Sequence, residues 1–143
     1  FNWRPGKIGG VNFEIILKPE QSLTRELMCV EIRFALPSGV FTPSLTPSFG
    51  KANFDSTTKE VVWNIGTYGK KEPLTLTGSA STEEDFDLGV RFPTVLCNFQ
   101  TYGVSPSGFK VEKLQIENVK YKPFTGVKYI CLSGDYEFRT SNV

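Results

Sequence analysis

Residues 51–65, KANFDSTTKEVVWNI, decide the fold class. Apolar side chains recur at every second position of the second half, at Val61, Trp63 and Ile65. The polar stretch DSTT at 55–58 precedes them and is rich in turn-forming residues. A period of two is typical of a strand with one buried face, so two such runs around a short polar turn predict an antiparallel β-hairpin.

The same alternation recurs along most of the chain in short segments, which Gly, Pro, Ser or acidic loops separate. These predicted strands cover residues 11–17, 30–36, 51–54, 61–65, 74–76, 88–99, 109–116, 127–132 and 136–139. No stretch combines helix caps with a sustained period of 3.6 residues. The pattern therefore predicts an all-β fold, namely an antiparallel β-sandwich.

One predicted strand carries a change of phase. Phe109 and Val111 share one parity, whereas Leu114 and Ile116 share the other. Two interpretations fit this pattern. A β-bulge near residues 112–113 would return both pairs to one face, or the strand is buried on both faces. The first interpretation bears on function, because bulges are often found beside binding sites.

The composition narrows the classes of function. The chain of 143 residues contains no histidine, which excludes Ser-His-Asp and Cys-His catalysis, histidine-ligated zinc and a histidine pH switch. Lys and Arg number 16 and Asp and Glu 15, so the net charge of +1 creates no global attraction to nucleic acid. The sequence offers no nucleophile with a base, and we expect a protein that is not an enzyme and needs no cofactor.

Cysteine usage and hydropathy indicate the compartment. Cys29, Cys97 and Cys131 lie in apolar, strand-like contexts without C-x-x-C spacing, and we interpret them as reduced core thiols. Reduced thiols are typical of the cytoplasm. No apolar run approaches the ~20 residues of a membrane span, and residues 1–10 lack the pattern of a signal peptide.

Charged residues cluster in the predicted loops. The contiguous carboxylates of TEEDFD, residues 82–87, lack the spacing of a calcium loop, and we expect a solvated loop without a metal. Lys51, Lys59, Lys70 and Lys71 form either an ordinary solvated surface or a weak basic patch for an anionic membrane.

The C-terminal part of the chain resembles a known family. Residues 105–116, SPSGFKVEKLQI, and 121–140, YKPFTGVKYICLSGDYEFRT, resemble the end of the mu homology domain of clathrin-adaptor medium chains. The segment YKPFTGVKY is most similar to the medium chain of the third adaptor complex. Residues 45–66 are similar to a hairpin of the same family, so the resemblance covers about residues 11–140.

The resemblance implies a division into two parts. In mu homology domains, an all-β subdomain B is inserted into a larger subdomain A. Residues 1–104 resemble subdomain B, and residues 105–143 resemble the strands that return to complete subdomain A. The first part of subdomain A would then lie outside this chain, and the chain is expected to be a fragment of a larger subunit.

The resemblance also implies recognition by strand addition. An extended cytosolic tail with a Tyr-x-x-Φ sorting signal pairs with a sheet edge, and its two key side chains enter two pockets. The positions that match the paired edge are Gly126, Val127, Lys128 and Tyr129.

The pocket residues follow from the same resemblance, and four of them have an alternative. Val127, Val111 and Leu114 match the Φ pocket, and the alternative is that they are sandwich core. Lys128 falls where many medium chains place an Arg against the tyrosine, and the alternative is an exposed strand residue. Gly126 falls where other medium chains have a Trp, which implies a shallower tyrosine pocket.

Membrane contact through the matching hairpin is expected to be weak. The medium chain of the plasma-membrane complex carries several alternating lysines there, whereas this chain retains only Lys51 and has Asp55 nearby. One basic residue contributes only ~1 kcal/mol near an anionic surface.

The resemblance therefore implies a cargo-recognition module with other adaptor-complex subunits as partners, at the cytosolic face of Golgi or endosomal membranes. The alternative is a structural scaffold of a coat or adaptor complex that does not bind sorting signals. A third possibility is another mu-domain protein, such as a coatomer delta chain or a stonin, and the segment YKPFTGVKY argues against it.

Overall fold

The computed structural model describes residues 2–6, 9–18, 25–69, 72–87, 93–105 and 107–139. Within these ranges all regular secondary structure is β-strand. The strands are β1 (Asn2–Pro5), β2 (Gly10–Leu17), β3 (Leu27–Ala35), β4 (Ser44–Pro47), β5 (Lys51–Asp55), β6 (Glu60–Tyr68), β7 (Leu74–Ser81), β8 (Val95–Tyr102), β9 (Ile130–Leu132) and β10 (Tyr136–Phe138). The described residues accordingly contain no helix that is long and apolar enough to cross a membrane.

The strands form two antiparallel sheets. Sheet A has the order β1-β2-β7-β4, and sheet B has the order β10-β8-β3-β6-β5. β9 also pairs with β8, next to β10 along the same side. The predicted antiparallel β-sandwich is confirmed.

The core lies between the two sheets. Phe13 of sheet A meets Phe34 of sheet B edge to face, with ring centroids 5.3 Å apart, and Trp3 stacks on Phe13 at 5.9 Å. Trp63 is fully buried, and its indole Nε1 donates a hydrogen bond of 2.8 Å to the carbonyl of Phe49. A buried Trp with a satisfied N–H contributes a large apolar area without leaving a polar group unpaired.

The predicted hairpin at residues 51–65 is confirmed. All five residues of β5 pair with β6 in one unbroken register. In the turn, Asp55 Oδ1 accepts hydrogen bonds from the backbone N–H groups of Thr57 (2.8 Å) and Thr58 (3.4 Å). These donors stabilise the carboxylate, and the bond from Thr57 is the main reason why the pKa of Asp55 is lowered.

The predicted strand at residues 109–116 is wrong. The described residues between Tyr102 and Ile130 form no strand, and Phe109, Leu114 and Ile116 are exposed. The segment therefore has neither a bulge near residues 112–113 nor two buried faces. Alternation shows which face would be buried, but a strand also needs a neighbour that exchanges hydrogen bonds with it.

Strand boundaries differ from the prediction in other strands as well; β7, for example, extends to Ser81 instead of ending at residue 76. The predicted strand at 127–132 is shortened to β9, which begins at Ile130. The predicted strand at 88–99 is represented by β8, which begins at Val95, and residues 88–92 lie outside the described residues. The sequence pattern did not predict β1 and β4.

A β-bulge is present on β3. Met28 pairs with Gln100 and Glu31 with Asn98, so three steps along β3 match two along β8. Cys29 lies at this register shift with a φ of 51°, and its side chain is exposed. The interpretation of Cys29 as a core thiol is therefore wrong, because the bulge turns it away from the core.

The other two cysteines lie closer to the core. Cys97 is buried, and this burial raises the pKa of its thiol. Cys131 is half-buried on β9. All three cysteines are free thiols in this structure.

Candidate functional site

β9 and β10 together form one interrupted strand along the edge of sheet B. Leu132 pairs with Gln100 and Tyr136 with Cys97, so four steps along this edge match three along β8. The extra residue forms a bulge at residues 133–135. This is the sheet edge that the predicted recognition site adjoins, because residues 126–129 immediately precede β9.

Ser133 holds the bulge against the middle of β8. Its backbone N–H donates to the carbonyl of Phe99 at 3.0 Å, and its Oγ accepts from the N–H of Phe99 at 2.9 Å. The serine thus satisfies both backbone groups of Phe99 where the bulge interrupts the ladder. A buried or half-buried backbone group without a partner would destabilise the sheet at this point.

Tyr129 joins the predicted edge to the rest of the structure. Its carbonyl accepts a hydrogen bond of 2.9 Å from the N–H of Gly103, just beyond the end of β8. Its hydroxyl accepts a hydrogen bond of 2.8 Å from the backbone N–H of Val111. The structure therefore brings together two of the predicted site residues, Val111 and Tyr129.

Lys128 contacts an aromatic ring at the end of β8. Its Nζ lies 4.5 Å from the centroid of the Tyr102 ring. At an exposed position such a cation–π contact contributes about 0.5–1 kcal/mol. The ammonium group is thus placed where it can engage an aromatic side chain.

The three predicted Φ-pocket residues are exposed. The exposed fractions are 39% for Val111, 51% for Leu114 and 45% for Val127. The alternative assignment of these residues to the sandwich core is therefore wrong. Among the described residues, the hydrogen bonds and ring contacts do not include Leu114, Val127 or Gly126. The described part of the chain therefore leaves the side chains of Val111, Leu114 and Val127 exposed.

The charged loops behave as solvated surface where they are described. Glu83, Glu84, Asp85 and Asp87 are exposed, as expected for a solvated loop, and Phe86 between them packs against the core. Lys51 is exposed at the first position of β5. Lys70 and Lys71 lie outside the described residues.

An exposed aromatic pair on β10 was not predicted as a functional feature. Tyr136 and Phe138 have ring centroids 6.1 Å apart, and Tyr136 lies 6.4 Å from Phe99. They pair with Cys97 and Val95, which face the core, yet they remain 57% and 54% exposed. The described residues therefore leave this part of the face of sheet B uncovered.

Comparisons with known proteins agree on one family. The model of the adaptor complexes medium subunit family matches residues 3–140. The AP-3 complex subunit mu-2 of Homo sapiens is 34% identical over 128 residues, which cover 90% of this chain and 31% of the relative. The AP-3 complex subunit mu-1 of Rattus norvegicus is 30% identical, with the same coverage. The chain spans about a third of the length of the curated relatives it matches.

Proposed function

Because the chain belongs to the adaptor complexes medium subunit family, we propose that it is a non-enzymatic cargo-adaptor module of vesicular protein sorting. Its partners would be cytosolic tails of membrane cargo and the other subunits of an adaptor complex. It would act at the cytosolic face of Golgi or endosomal membranes and vesicles, associated peripherally through the complex. The single exposed Lys51 of β5 would add little direct attraction to lipid.

The finer proposal is recognition of Tyr-x-x-Φ signals by strand addition. The observation that carries it is the exposure of Val111, Leu114 and Val127; Val111 is hydrogen-bonded to Tyr129, the residue before β9. An extended peptide that pairs with residues 126–129 would place its Φ side chain against these three apolar residues. Covering them would contribute about 25 cal/mol for each Å² of apolar surface removed from water.

Lys128 and Gly126 would receive the tyrosine of the signal. The ammonium of Lys128 already lies against the ring of Tyr102, which supports a role in binding an aromatic ring. Gly126 has no side chain to wall the pocket, and a Cβ placed there would touch only Phe124, at 3.9 Å. We therefore expect an open tyrosine site of modest affinity.

We also propose that residues 1–104 form a subdomain B-like unit and that residues 105–143 return to a second subdomain. Support comes from a series of exposed apolar side chains within the second part. They are Phe109, Val111, Leu114, Ile116, Val119, Tyr121, Phe124, Val127, Ile130 and Leu132. A surface of this kind is ordinarily covered. We assign to the remainder of such a subunit the covering of the residues outside the proposed peptide site, so that Val111, Leu114 and Val127 stay open to the peptide.

The test is a titration of this chain with a fluorescent Tyr-x-x-Φ peptide beside its Tyr→Ala control. We expect saturable binding that the control lacks. Val127→Asp or Leu114→Arg should weaken binding about tenfold or more, since a charge would enter an apolar contact. Unchanged affinity in variants that retain the β-type circular dichroism spectrum would refute the assignment of these residues.

The second candidate function is a structural scaffold that binds other adaptor subunits and no sorting signal. The exposed apolar series also favours this function, because it can form a protein–protein contact. A folded chain that binds neither the Tyr-x-x-Φ peptide nor its Tyr→Ala control would favour the scaffold function over cargo recognition. Binding to an adaptor subunit should then be lost in Leu114→Arg.

A further inference from the structure

β5 is an edge strand of sheet B with one free side. Its residues Lys51–Asp55 pair with β6 in an unbroken register. Among the described strands, none pairs with its other side. In an antiparallel pair, alternate residues direct their backbone groups away from the neighbour. The free side of β5 therefore offers unpaired N–H and C=O groups to another strand.

Each of the other edges of the described sheets is interrupted by a proline or a bulge. β1 ends with Pro5 and β4 ends with Pro47, and proline cannot donate a hydrogen bond to a ladder. The β9–β10 edge is broken by the bulge at residues 133–135. β5 contains neither a proline nor a bulge, and only the charges at its two ends, Lys51 and Asp55, restrict which strand can pair with it.

Those charges are self-complementary. When a second copy of β5 is placed antiparallel about Asn53, residue 51 of each copy faces residue 55 of the other, so Lys51 meets Asp55 twice. Opposite charges directly across an antiparallel pair stabilise it, and like charges destabilise it. A parallel arrangement in register would instead place Lys51 beside Lys51 and Asp55 beside Asp55.

The apolar side of the strand fits the same arrangement. Ala52 and Phe54 are half-buried and pack against the core, whereas Lys51, Asn53 and Asp55 are exposed. In the antiparallel arrangement the small Ala52 of each copy faces the large Phe54 of the other. This pairing of small with large leaves room for the ring and extends the covered face of sheet B across both copies.

We infer that β5 pairs antiparallel with β5 of a second copy of this chain, with the two-fold axis at Asn53. The two copies of sheet B then form one continuous sheet. The contact is isologous, since the same residues contribute on both sides, and it closes as a dimer. This inference does not rest on the proposed function.

The dimer is expected to be weak. A strand of five residues contributes far less than the roughly 800 Å² that each partner buries in a standard interface. The dimer should therefore form at high concentrations of this protein, or where other bound molecules keep two copies close to each other. Its charge pairs are exposed, so high salt should weaken it further.

The experiment is sedimentation velocity on this chain over a range of concentrations, with two charge variants. Lys51→Asp and Asp55→Lys each place like charges at both contacts of the dimer, so each should raise the dissociation constant about tenfold. An equimolar mixture of the two variants restores both contacts. One contact then pairs the two introduced charges, and the other pairs the two native charges.

The inference stands if both variants are monomeric at concentrations where the unchanged chain dimerises, and if their mixture dimerises again. It is overturned if the unchanged chain remains monomeric at every concentration. It is also overturned if the dimer persists in both variants, as it would if the exposed apolar series at 109–132 caused association.

A further variant distinguishes the effect of the Asp55 charge from the effect of its hydrogen bond in the turn. Asp55→Asn keeps a side-chain oxygen for the N–H of Thr57 but removes the charge, and it should also weaken the dimer. Undiminished dimerisation of this variant would overturn the charge pairing. Circular dichroism and thermal unfolding of each variant verify that the hairpin is intact.

Discussion

The guanidinium of Arg33 reaches across β8 to the carboxylate of Asp135, with 3.3 Å between Nη2 and Oδ1. Arg33 lies on β3, and Asp135 lies in the bulge at the opposite side of β8. On its own strand, Arg33 Nε is 3.4 Å from Glu31 Oε1. The contact between Arg33 and Asp135 connects residues 102 positions apart in sequence. It links the C-terminal edge of sheet B to the middle of that sheet.

We expect Asp135→Asn to loosen that edge more than it destabilises the fold. Asp135 is exposed and Arg33 is partly exposed, so the free energy of unfolding should fall by only about 0.5 kcal/mol. Amide hydrogen exchange at Tyr136 and Phe138 should become faster, while exchange in β6 should not change. A loss of global stability without faster local exchange would contradict this expectation.

Gly78→Ala should destabilise the sandwich strongly. Gly78 is paired with Phe13, and a Cβ at position 78 would overlap the Phe13 ring. Displacing a ring that also contacts Phe34 should cost about 1–3 kcal/mol in urea unfolding. Gly126→Ala is the matched control, because its Cβ would make only an ordinary contact, and its unfolding should be nearly unchanged.

The turn of the β5–β6 hairpin should make part of the stability depend on pH. The pKa of Asp55 is lowered in the folded state from its usual 3.8, chiefly by the N–H of Thr57. A depressed folded-state pKa contributes stability above the unfolded-state value, and that stability is lost as the pH falls through the folded-state value. The loss should therefore begin as the pH approaches the usual carboxyl value of 3.8 from above and should continue through the lowered folded-state pKa, and Asp55→Asn should reduce it. An identical pH profile of the two proteins would contradict the role of this carboxylate.

The three thiols should differ in their rates of modification by an aromatic disulfide reagent. Cys29 is exposed and should react first, Cys131 is half-buried, and Cys97 is buried with a raised pKa. Because the thiolate is the reactive form, burial and a raised pKa both slow the reaction of Cys97. Mass spectrometry of partly labelled protein would identify the order, and early labelling of Cys97 would contradict it.

Lys128→Arg should raise the affinity for the Tyr-x-x-Φ peptide, and Lys128→Ala should lower it, each by a factor of about 2–5. The planar guanidinium stacks on an aromatic ring better than the compact ammonium does. This prediction rests on the proposed function and uses the same fluorescent peptide. The Tyr→Ala peptide is the control, because its binding should not respond to either substitution.

The alternation of apolar residues predicted the central strands because they face the core on one side and solvent on the other. β2 and β6 alternate buried and less buried positions over most of their length. β1 and β4 escaped prediction because each has only four residues and ends with proline. β1 is a strand because it pairs with β2, and β4 because it pairs with β7. Such pairing depends on residues distant in sequence and cannot be predicted from the local pattern.

The site was predictable only in part. The position of the candidate edge next to β9 followed from a motif, and Tyr129 does contact Val111. Alternation predicted a strand at 109–116 that is absent, because no described strand lies beside this segment to exchange hydrogen bonds with it. No residue type in the sequence predicted the bulge at Cys29 either. A positive φ is usually marked by a glycine, whereas here a cysteine adopts it.

β8 has a bulge on each side at the same level. Cys29 lies in the one on β3, and Ser133 lies in the one on the edge formed by β9 and β10, both opposite the region of Phe99. Each bulge increases the local right-handed twist and bends its strand. We expect the two bulges together to bend sheet B at this level, and with it the edge that residues 126–129 precede. We expect the orientation of any ligand at that edge to depend on the two bulges. A related protein that lacks one of them would hold residues 126–129 at a different angle to sheet B.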